Sequence, residues 1–413
     1  MPKLKLGPAE WLVIIGLIIC VLFIFDKTEY PVIDLYEVGP GKPYITIQSA
    51  VNALIEAQGG MPFDTEKKIK IYAKQGEGYI ACYDETIIIS GLKPTQNHRL
   101  IIEGDGSLTM IASSQDLRFI RDRKISPIKV CPGAAFTIKS PFVTIRKLRL
   151  GGNGYPMHCI EDNGVYVSEK GFVIENCFFY KTHLSSVYLA KGADNAIIRE
   201  NEFTLSGIGS VEISSGVNNC LIYNNTMVGM RHGIMCKGDN HKIYDNTIIK
   251  EGGYAKGSCI LLMDKGRIDI KNNILIADSP CSCFGSDSEV GRGNISSDHN
   301  LFYTSRGEPS MFNDFRDACP DLRTLREWQA TGQDTNSVFG DPMFFSFTGF
   351  REMKPYSDSP PFYFDTDLRL RKGSAAIDRG EVLSDIFNTD ILGTKRKNLW
   401  DIGAYAWRET CVR

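Results

Sequence analysis

The sequence lacks a Cys-x-x-Cys pair, although it contains 12 cysteines. The closest two, Cys281 and Cys283, are separated by a single residue, so a zinc ribbon is excluded. These two thiols could bind a metal or be oxidised, but burial as small apolar side chains is the simpler interpretation. A charge excess of one sign is also missing, since the formal net charge is −2. The totals therefore give no sign of the basic face that binds DNA or RNA, and we expect no nucleic-acid partner.

Long amphipathic helical stripes are scarce as well, which argues against a helical bundle or helical repeat. A short motif recurs instead, in which an Asn is followed two places later by an apolar residue. Its six copies are Ile-Glu-Asn176-Cys-Phe, Arg-Glu-Asn201-Glu-Phe, Tyr-Asn-Asn225-Thr-Met, Tyr-Asp-Asn246-Thr-Ile, Lys-Asn-Asn273-Ile-Leu and Asp-His-Asn300-Leu-Phe. Successive Asn residues lie 25, 24, 21, 27 and 27 positions apart. A period of about 20–50 residues is typical of a solenoid.

Each repeat contains short alternating runs that predict β-strands. Examples are Val-Tyr-Val at 165–167, Val-Tyr-Leu at 187–189, Val-Glu-Ile at 211–213 and Lys-Ile-Tyr at 242–244. One repeat is therefore one coil of short strands, and successive coils stack in parallel around a continuous core. We expect the recurring Asn to adopt the left-handed backbone conformation at a sharp turn. Its side-chain amide would bond the equivalent Asn one coil away.

The first 29 residues predict a membrane anchor. Residues 11–25 are free of charge and nearly as long as a spanning helix requires. Lys3 and Lys5 precede this run, which places the N-terminus inside. The end of the run, Phe-Ile-Phe-Asp-Lys at residues 23–27, offers no small residues for signal cleavage. We expect an uncleaved single-pass anchor with the body outside the cytoplasm, and secretion after signal cleavage is the alternative.

The two ends of the solenoid are predicted to be capped. Thr46 is a helix N-cap, an apolar stripe follows it, and Gly59-Gly60 ends the helix. This short helix would close the N-terminal end, so we assign residues 30–303 to the solenoid with its cap. The repeat stops after Tyr303. Residues 304–413, with a second predicted helix at 321–330, are assigned to an irregular C-terminal cap.

Several segments resemble one protein family. They are Gly39-Pro-Gly-Lys-Pro-Tyr-Ile-Thr-Ile-Gln-Ser-Ala-Val, the Asn-marked coils, and the ending Ser374-Ala-Ala-Ile-Asp-Arg-Gly with Asp401-Ile-Gly-Ala-Tyr. Together they resemble the pectin-lyase-like right-handed parallel β-helix proteins over residues 38–407. The resemblance implies that fold, with a polysaccharide groove along one outer face. Because the fold carries lyases, hydrolases, epimerases and binding proteins, it does not decide the activity.

The candidate site residues follow from strand alternation. Tyr166, Tyr188, Glu212 and Met235 point outward on successive coils, and Lys237 has the same parity as Met235. Polar residues at the flanking turns complete the candidate set: His183, Arg231, His232, Asp264, Lys265, Asp287 and Glu289. The family's paired-Asp hydrolase pattern and clustered-Asp calcium pattern are absent. Arg231-His232-Gly233 faintly resembles the Arg-His pair of certain glycosaminoglycan and alginate lyases.

The leading prediction is a lyase that cleaves a uronic-acid polymer by β-elimination. Lys237 or Arg231 would act as the base and His232 as a proton carrier. Glu212 and Asp264 could bind Ca²⁺, which neutralises the substrate carboxylate in such a reaction. The partner would be a polysaccharide, and an acidic one if the basic loop at 118–124 lines the groove.

Two other functions stay open. In a glycoside hydrolase, Glu212 and Asp264 would be the acid and base. Residues two coils apart are separated by about 10 Å, which is at or beyond the ~6.5–9.5 Å of inverting enzymes. In a binding protein without chemistry, Tyr166 and Tyr188 would form a stacking platform, with His183 and Lys265 as further binding residues.

Overall fold

The computed structural model describes the chain in segments. They are residues 34–72, 74–76, 79–81, 83, 85–105, 110–112, 134–151, 163–180, 182, 184–250, 257–278, 281–286, 294–304, 310–314, 324–347 and 367–409. The predicted anchor, the basic loop at 118–124, and the candidates His183, Asp287 and Glu289 lie outside them. Within these segments, none of the helices has the length and apolar character needed to cross a membrane.

The described residues form many short strands and two short helices. In chain order the strands are β1 (Asp34–Val38), β2 (Lys67–Ile71), β3 (Lys74–Gly76), β4 (Tyr79–Ala81), β5 (Ile87–Ser90), β6 (Leu100–Gly104), β7 (Met110–Ala112), β8 (Phe136–Lys139), β9 (Val143–Arg146), β10 (Arg149–Gly151), β11 (Val165–Val167), β12 (Val173–Glu175), β13 (Phe178–Tyr180), β14 (Ser185–Leu189), β15 (Ile197–Arg199) and β16 (Glu202–Thr204). They continue with β17 (Gly209–Ile213), β18 (Leu221–Tyr223), β19 (Thr226–Val228), β20 (His232–Cys236), β21 (His241–Tyr244), β22 (Thr247–Lys250), β23 (Ser258–Leu262), β24 (Ile268–Lys271), β25 (Ile274–Ala277), β26 (Ser282–Ser286), β27 (Ile295–Asp298), β28 (Leu301–Tyr303), β29 (Ser310–Asp314), β30 (Val338–Phe339), β31 (Phe344–Ser346) and β32 (Asp367–Leu370). The helices are α1 (Ile47–Gln58) and α2 (Leu325–Gln329).

Three parallel sheets run along the molecule, and each coil contributes one strand to each of them. Sheet 1 has the order β5-β8-β11-β14-β17-β20-β23-β26-β29. Sheet 2 has the order β1-β2-β6-β9-β12-β15-β18-β21-β24-β27, and sheet 3 has the order β7-β10-β13-β16-β19-β22-β25-β28-β30. This is a parallel β-helix, which confirms the all-β solenoid predicted from the repeat.

The alternation of apolar residues gives the helix its core. In sheet 1, Val187 pairs with Val211, which pairs with Ile234, and all three are fully buried. One cluster of such buried side chains extends from Val38 in β1 to Trp328 in α2. Burying an aliphatic side chain of this size contributes about 1.5–3 kcal/mol, so stacking coils around this core stabilises each of them.

Five of the six marker asparagines form a ladder at the corner between sheets 2 and 3. The side-chain amide of each donates to the side-chain oxygen of the next, from Asn201 through Asn225, Asn246 and Asn273 to Asn300, over 2.9–3.1 Å. All five are fully buried. Each of these amides also donates to a backbone carbonyl of the coil before it. The predicted coil-to-coil bonding is therefore confirmed for these five.

The prediction was wrong for Asn176. Cys177 occupies its place in the ladder, and the backbone N–H of Cys177 donates to Asn201 at 2.9 Å. Asn176 itself is exposed and donates to Glu200. The motif Ile-Glu-Asn-Cys-Phe had been aligned one residue out of register, because its Asn stands where Glu200 stands in the next coil.

The left-handed conformation also belongs to the residue before the ladder position. The φ angles there are +53° at Asn176, +56° at Glu200, +52° at Asn224, +49° at Asp245, +57° at Asn272 and +53° at His299. The two roles that the sequence suggested for a single Asn are thus divided between two adjacent residues.

Helix α1 lies where the sequence predicted a cap. Thr46 accepts a hydrogen bond from the Ser49 N–H at its start, and Gly59 ends it in the left-handed conformation. Its buried residues are Ile47, Ala50, Val51 and Leu54, the predicted stripe, and they join the same core as β1.

Helix α2 meets the other end of the ladder. Trp328 is fully buried against Phe312 and Phe284. Its indole N–H donates to Asp334 at 2.6 Å, and the Asn300 amide donates to the same carboxylate at 2.8 Å. Asp334 thereby supplies the acceptor that a further Asn would otherwise provide.

The segment 367–409 packs on the outer surfaces of sheets 2 and 3. Phe387 and Trp400 lie in one apolar cluster with Tyr223 and Tyr244 of sheet 2. A second cluster joins sheet 3 to residues that include Leu368, Leu370 and Ile402. The predicted site residues Tyr166, Tyr188 and Glu212 lie on strands of the third sheet, sheet 1.

Candidate functional site

A single outward column on sheet 1 carries most of the predicted site. The strand register places Tyr166 beside Tyr188, Tyr188 beside Glu212, and Glu212 beside Met235. The predicted alignment of these four residues is therefore confirmed. The first three are partly exposed, whereas Met235 and the next residue in the column, Leu261, are buried. The accessible part of the column is thus the stretch from Tyr166 to Glu212.

The two tyrosines stack on each other. Their ring centroids are 5.6 Å apart and their planes differ by 15°, so each ring already covers one face of its neighbour. At most one face of each ring is left for a ligand. The Ser214 hydroxyl donates to the Tyr188 hydroxyl at 2.8 Å, which orients that phenol toward the turn after β17.

Glu212 is held from the preceding coil. Its carboxylate accepts a hydrogen bond from the Ser185 hydroxyl at 2.7 Å. Because this carboxylate is directed to the coil before it, it is turned away from Asp264, which lies two coils further on.

Arg231 and His232 are adjacent in sequence but differ in environment. Arg231 is exposed, whereas His232 is buried, with Nδ1 3.1 Å from the Ser258 hydroxyl. The Ser258 backbone N–H also donates to Nδ1. Burial, together with the positive charges of Arg231 and Lys250, lowers the pKa of His232 to about 3. His232 is neutral at physiological pH, so it is poorly suited to carry a proton.

Lys237 and Asp264 meet at the turn that follows sheet 1. The Gly238 N–H, one residue after Lys237, donates to the Asp264 carboxylate at 3.3 Å, and the Lys265 N–H donates to it at 2.8 Å. Lys237 is half-buried, and Lys265 is exposed. Within the described residues, neither Lys237 nor Arg231 forms an ion pair.

The two carboxylates predicted to hold calcium are directed to different partners. The carboxylates of Glu212 and Asp264 are each committed to local hydrogen bonds, Glu212 to Ser185 and Asp264 to two backbone N–H groups. Across the segments that the structure describes, no group of three His, Cys, Asp or Glu side chains is arranged to hold a metal. A calcium site at Glu212 and Asp264 stays a prediction from the sequence.

The cysteines also give no ligand set in the described part of the chain. Cys177, Cys220, Cys236, Cys259, Cys281 and Cys283 are all buried free thiols. Burial raises the pKa of the Cys283 thiol well above its usual value, which makes it unreactive. The simple burial expected for Cys281 and Cys283 is what the structure shows.

Three residues that contact the site were missed from the sequence. Ser185 and Ser214 reach it through contacts between coils, and nothing in their local sequence marks them. His241 is buried at the end of the turn after Lys237 and bonds the Lys237 carbonyl. The 21-residue spacing between Asn225 and Asn246, shorter than its neighbours, was the available signal that this turn differs.

Comparison with known proteins supports the architecture. A family model described as a right handed beta helix region matches residues 163–309. A pectate lyase, Pel9A, shares 11% identity over 92% of this chain and 97% of its own, with a TM-score of 0.49. An alginate lyase from Paenibacillus sp. str. FPU-7 shares 9% identity over 68% of this chain and 95% of its own, with a TM-score of 0.40.

A third solved structure, XylC in complex with xylose, shares 12% identity over 83% of this chain and 59% of its own, with a TM-score of 0.45. With TM-scores below 0.5, these three likenesses carry no further conclusion. A search of curated protein sequences finds no match.

Proposed function

We propose that this pectin-lyase-like right-handed parallel β-helix binds a uronic-acid-containing polysaccharide on the outer face of sheet 1 and cleaves it by β-elimination. The observation that carries the proposal is the partly exposed column Tyr166–Tyr188–Glu212, with the cations Arg231 and Lys237 in the next coil. Aromatic rings and cations along one open face suit a polymer of anionic sugars.

β-Elimination requires a base and a cation. A base removes the C5 proton of a uronate, the electron pair forms a C4–C5 double bond, and the C4–O bond breaks. The leaving oxygen stays on C1 of the neighbouring sugar and takes up a proton, so that sugar becomes a new reducing end. Lys237 is our candidate base in its neutral amine form, because its backbone is fixed in the turn and it has no ion-pair partner among the described residues. Exposed Arg231 would neutralise the substrate carboxylate.

A glycoside hydrolase on the same face is the second candidate. It requires two carboxylates that face one glycosidic bond. Glu212 and Asp264 are two coils apart, about 10 Å by the usual strand spacing, and their hydrogen bonds hold them in separate environments. This arrangement favours the lyase over the hydrolase.

Binding without cleavage is the third candidate, and the tyrosine stack favours it. The rings of Tyr166 and Tyr188 are already ordered against each other, so a sugar could pack on them at little cost in side-chain entropy. Such a protein would retain the polymer and release no product.

Polygalacturonate and alginate serve as probes that distinguish the lyase, the hydrolase and the binding protein. A lyase releases products that absorb at the unsaturated-uronate band, and their rate of formation falls to a small measurable residue in Lys237→Ala or Arg231→Ala. The matched control is Lys242→Ala, which removes an exposed lysine of the same coil from sheet 2. New reducing ends without that absorbance would support the hydrolase. Retention on a polymer column without either signal would support binding alone.

The location outside the cytoplasm is part of the proposal. The apolar run at residues 11–25 supports it, and either anchoring or secretion would bring the face to an extracellular polymer. Protease added to intact cells of the native host should digest an anchored body. Protection from that protease, together with absence from the medium, would contradict this part.

A further inference from the structure

The turn that carries Lys237 is shorter than the equivalent turns of the two preceding coils. Residues 190–196 and 214–220 join sheet 1 to sheet 2 in those coils, whereas residues 237–240 do so here. Most of the difference between the 24- and 21-residue repeats lies in this turn. A tight turn leaves little backbone freedom, so its few hydrogen bonds decide where Lys237 lies.

The backbone around Lys237 is bonded on each side. Its own N–H donates to the Ile213 carbonyl at 3.1 Å. Its carbonyl accepts a hydrogen bond from His241 Nε2 at 2.8 Å. The next N–H, that of Gly238, donates to the Asp264 carboxylate at 3.3 Å. The Ile213 carbonyl therefore holds the peptide unit before the Lys237 Cα, and His241 and Asp264 hold the peptide unit after it.

His241 is suited to this role because its tautomer is fixed. Its Nδ1 accepts a hydrogen bond from the Cys220 N–H at 3.2 Å, so the ring proton lies on Nε2, where it donates to Lys237. Burial lowers the pKa of His241, which favours the neutral ring that both bonds require. The imidazole thus links the backbones of two successive coils.

Gly238 completes the turn. Its φ of +89° favours glycine, and a Cβ at this position would lie 1.9 Å from the Val217 carbonyl oxygen. A side chain is excluded here on both counts. The turn can therefore approach the preceding coil closely at Val217, while the Gly238 N–H donates to Asp264 of the following coil.

We propose that His241 and Asp264 are positioning residues that fix the backbone of Lys237 at the edge of the sheet 1 face. This positioning role for Asp264 differs from the calcium binding and the acid–base catalysis that the sequence predicted for it. The inference rests on the proposed function only in naming Lys237 as the base. The positioning itself is a property of the turn and can be measured without substrate.

Hydrogen exchange across residues 237–241, followed by mass spectrometry of the full chain, tests the positioning. Exchange should rise about tenfold in Asp264→Ala and in His241→Leu, since each loses a bond to this turn. Asp264→Asn keeps an acceptor for the Gly238 N–H and should exchange as the wild type does. Lys242→Ala is the matched control, because that exposed side chain lies just after the turn. Unchanged exchange in both Asp264→Ala and His241→Leu would overturn the proposal.

A double-mutant cycle tests whether these residues act through Lys237. With polygalacturonate or alginate, Asp264→Ala should lower kcat about tenfold and leave KM nearly unchanged. In the Lys237→Ala background, Asp264→Ala should cause no further loss of kcat. Equal losses in both backgrounds would show that Asp264 does not act through Lys237. If the wild type forms no unsaturated product, the proposed function fails, and the exchange measurement still decides the positioning.

Discussion

Asn225 donates its side-chain amide to the side-chain oxygen of Asn246 at 2.9 Å, and the Asn225 backbone N–H donates to the same oxygen at 3.0 Å. Both residues are fully buried. Asn246 repeats this arrangement with Asn273 one coil further on. The side chain of one Asn therefore satisfies polar groups of two neighbouring coils, and the ladder couples the stability of adjacent repeats.

Replacing Asn246 by Ala should lower the free energy of unfolding by about 3–5 kcal/mol, because several buried donors and acceptors lose their partners. Urea unfolding followed by circular dichroism measures it. Asn176→Gly is the control, since Asn176 lies outside the ladder and glycine keeps its left-handed backbone. It should change stability by at most about 0.5 kcal/mol. Equal effects of the two substitutions would contradict the register described here.

The buried imidazole of His232 predicts a dependence of stability on pH. Its folded-state pKa is about 3, below the ~6.5 of an unfolded chain. The unfolded state therefore binds the proton more tightly, so the stability contribution is present above about pH 6.5 and is lost as the pH falls toward 3, by up to ~1.4 kcal/mol per pH unit.

Urea unfolding of the wild type and of His232→Asn at about pH 7, 5.5 and 4 checks this prediction. Asn cannot titrate in this range but can still accept the Ser258 N–H. The wild type should lose stability more steeply than the variant as the pH falls. Parallel pH profiles would show that His232 titrates normally in the folded protein.

Arg396 should hold the C-terminal segment to the β-helix. It is buried, donates to Asn224 Oδ1 at 2.9 Å and lies 3.3 Å from the Asp245 carboxylate. Arg396→Met leaves Asp245 without its cation and should cost about 3–5 kcal/mol. Adding Asp245→Asn removes the buried charge and should recover part of that loss. Urea unfolding of the single and double variants measures both effects, and a double variant less stable than Arg396→Met would contradict the pairing.

Tyr188 should contribute to polymer binding through its ring. Tyr188→Ala removes one half of the stack with Tyr166 and should weaken retention of polygalacturonate or alginate about three- to tenfold. Tyr188→Phe keeps the ring and loses only the bond from Ser214, so its affinity should stay close to that of the wild type. Affinity electrophoresis in gels containing the polymer compares them. If Tyr188→Ala migrated like the wild type, the column Tyr166–Tyr188–Glu212 would not be part of the binding surface.

The features that could be predicted from the sequence are those set by periodicity. The strict two-residue alternation around Tyr188 and Glu212 places both outward, and the coil repeat places them in register. The capping helix was predictable because Thr46 and Gly59 act within their own turns. These are local rules, so a single sequence is enough to apply them.

The features that could not be predicted depend on how one coil meets the next. Strand pairing places Cys177, and not the adjacent Asn176, at the ladder position of its coil. The sequence motif alone pointed to Asn176. The bond from Ser185 to Glu212 spans 27 residues, and the bond from Gly238 to Asp264 spans 26. The length of each turn sets such contacts, and turn composition alone does not reveal them.

A crystal structure with a bound acidic oligosaccharide, such as an oligogalacturonate or an alginate oligomer, tests the central claim most directly. We predict sugar density along the outer face of sheet 1, with a ring against Tyr166 or Tyr188 and a uronate carboxylate within reach of Arg231 or Lys237. Oligosaccharide bound on sheet 2 or sheet 3, or a face of sheet 1 left empty at saturating ligand, would contradict the account.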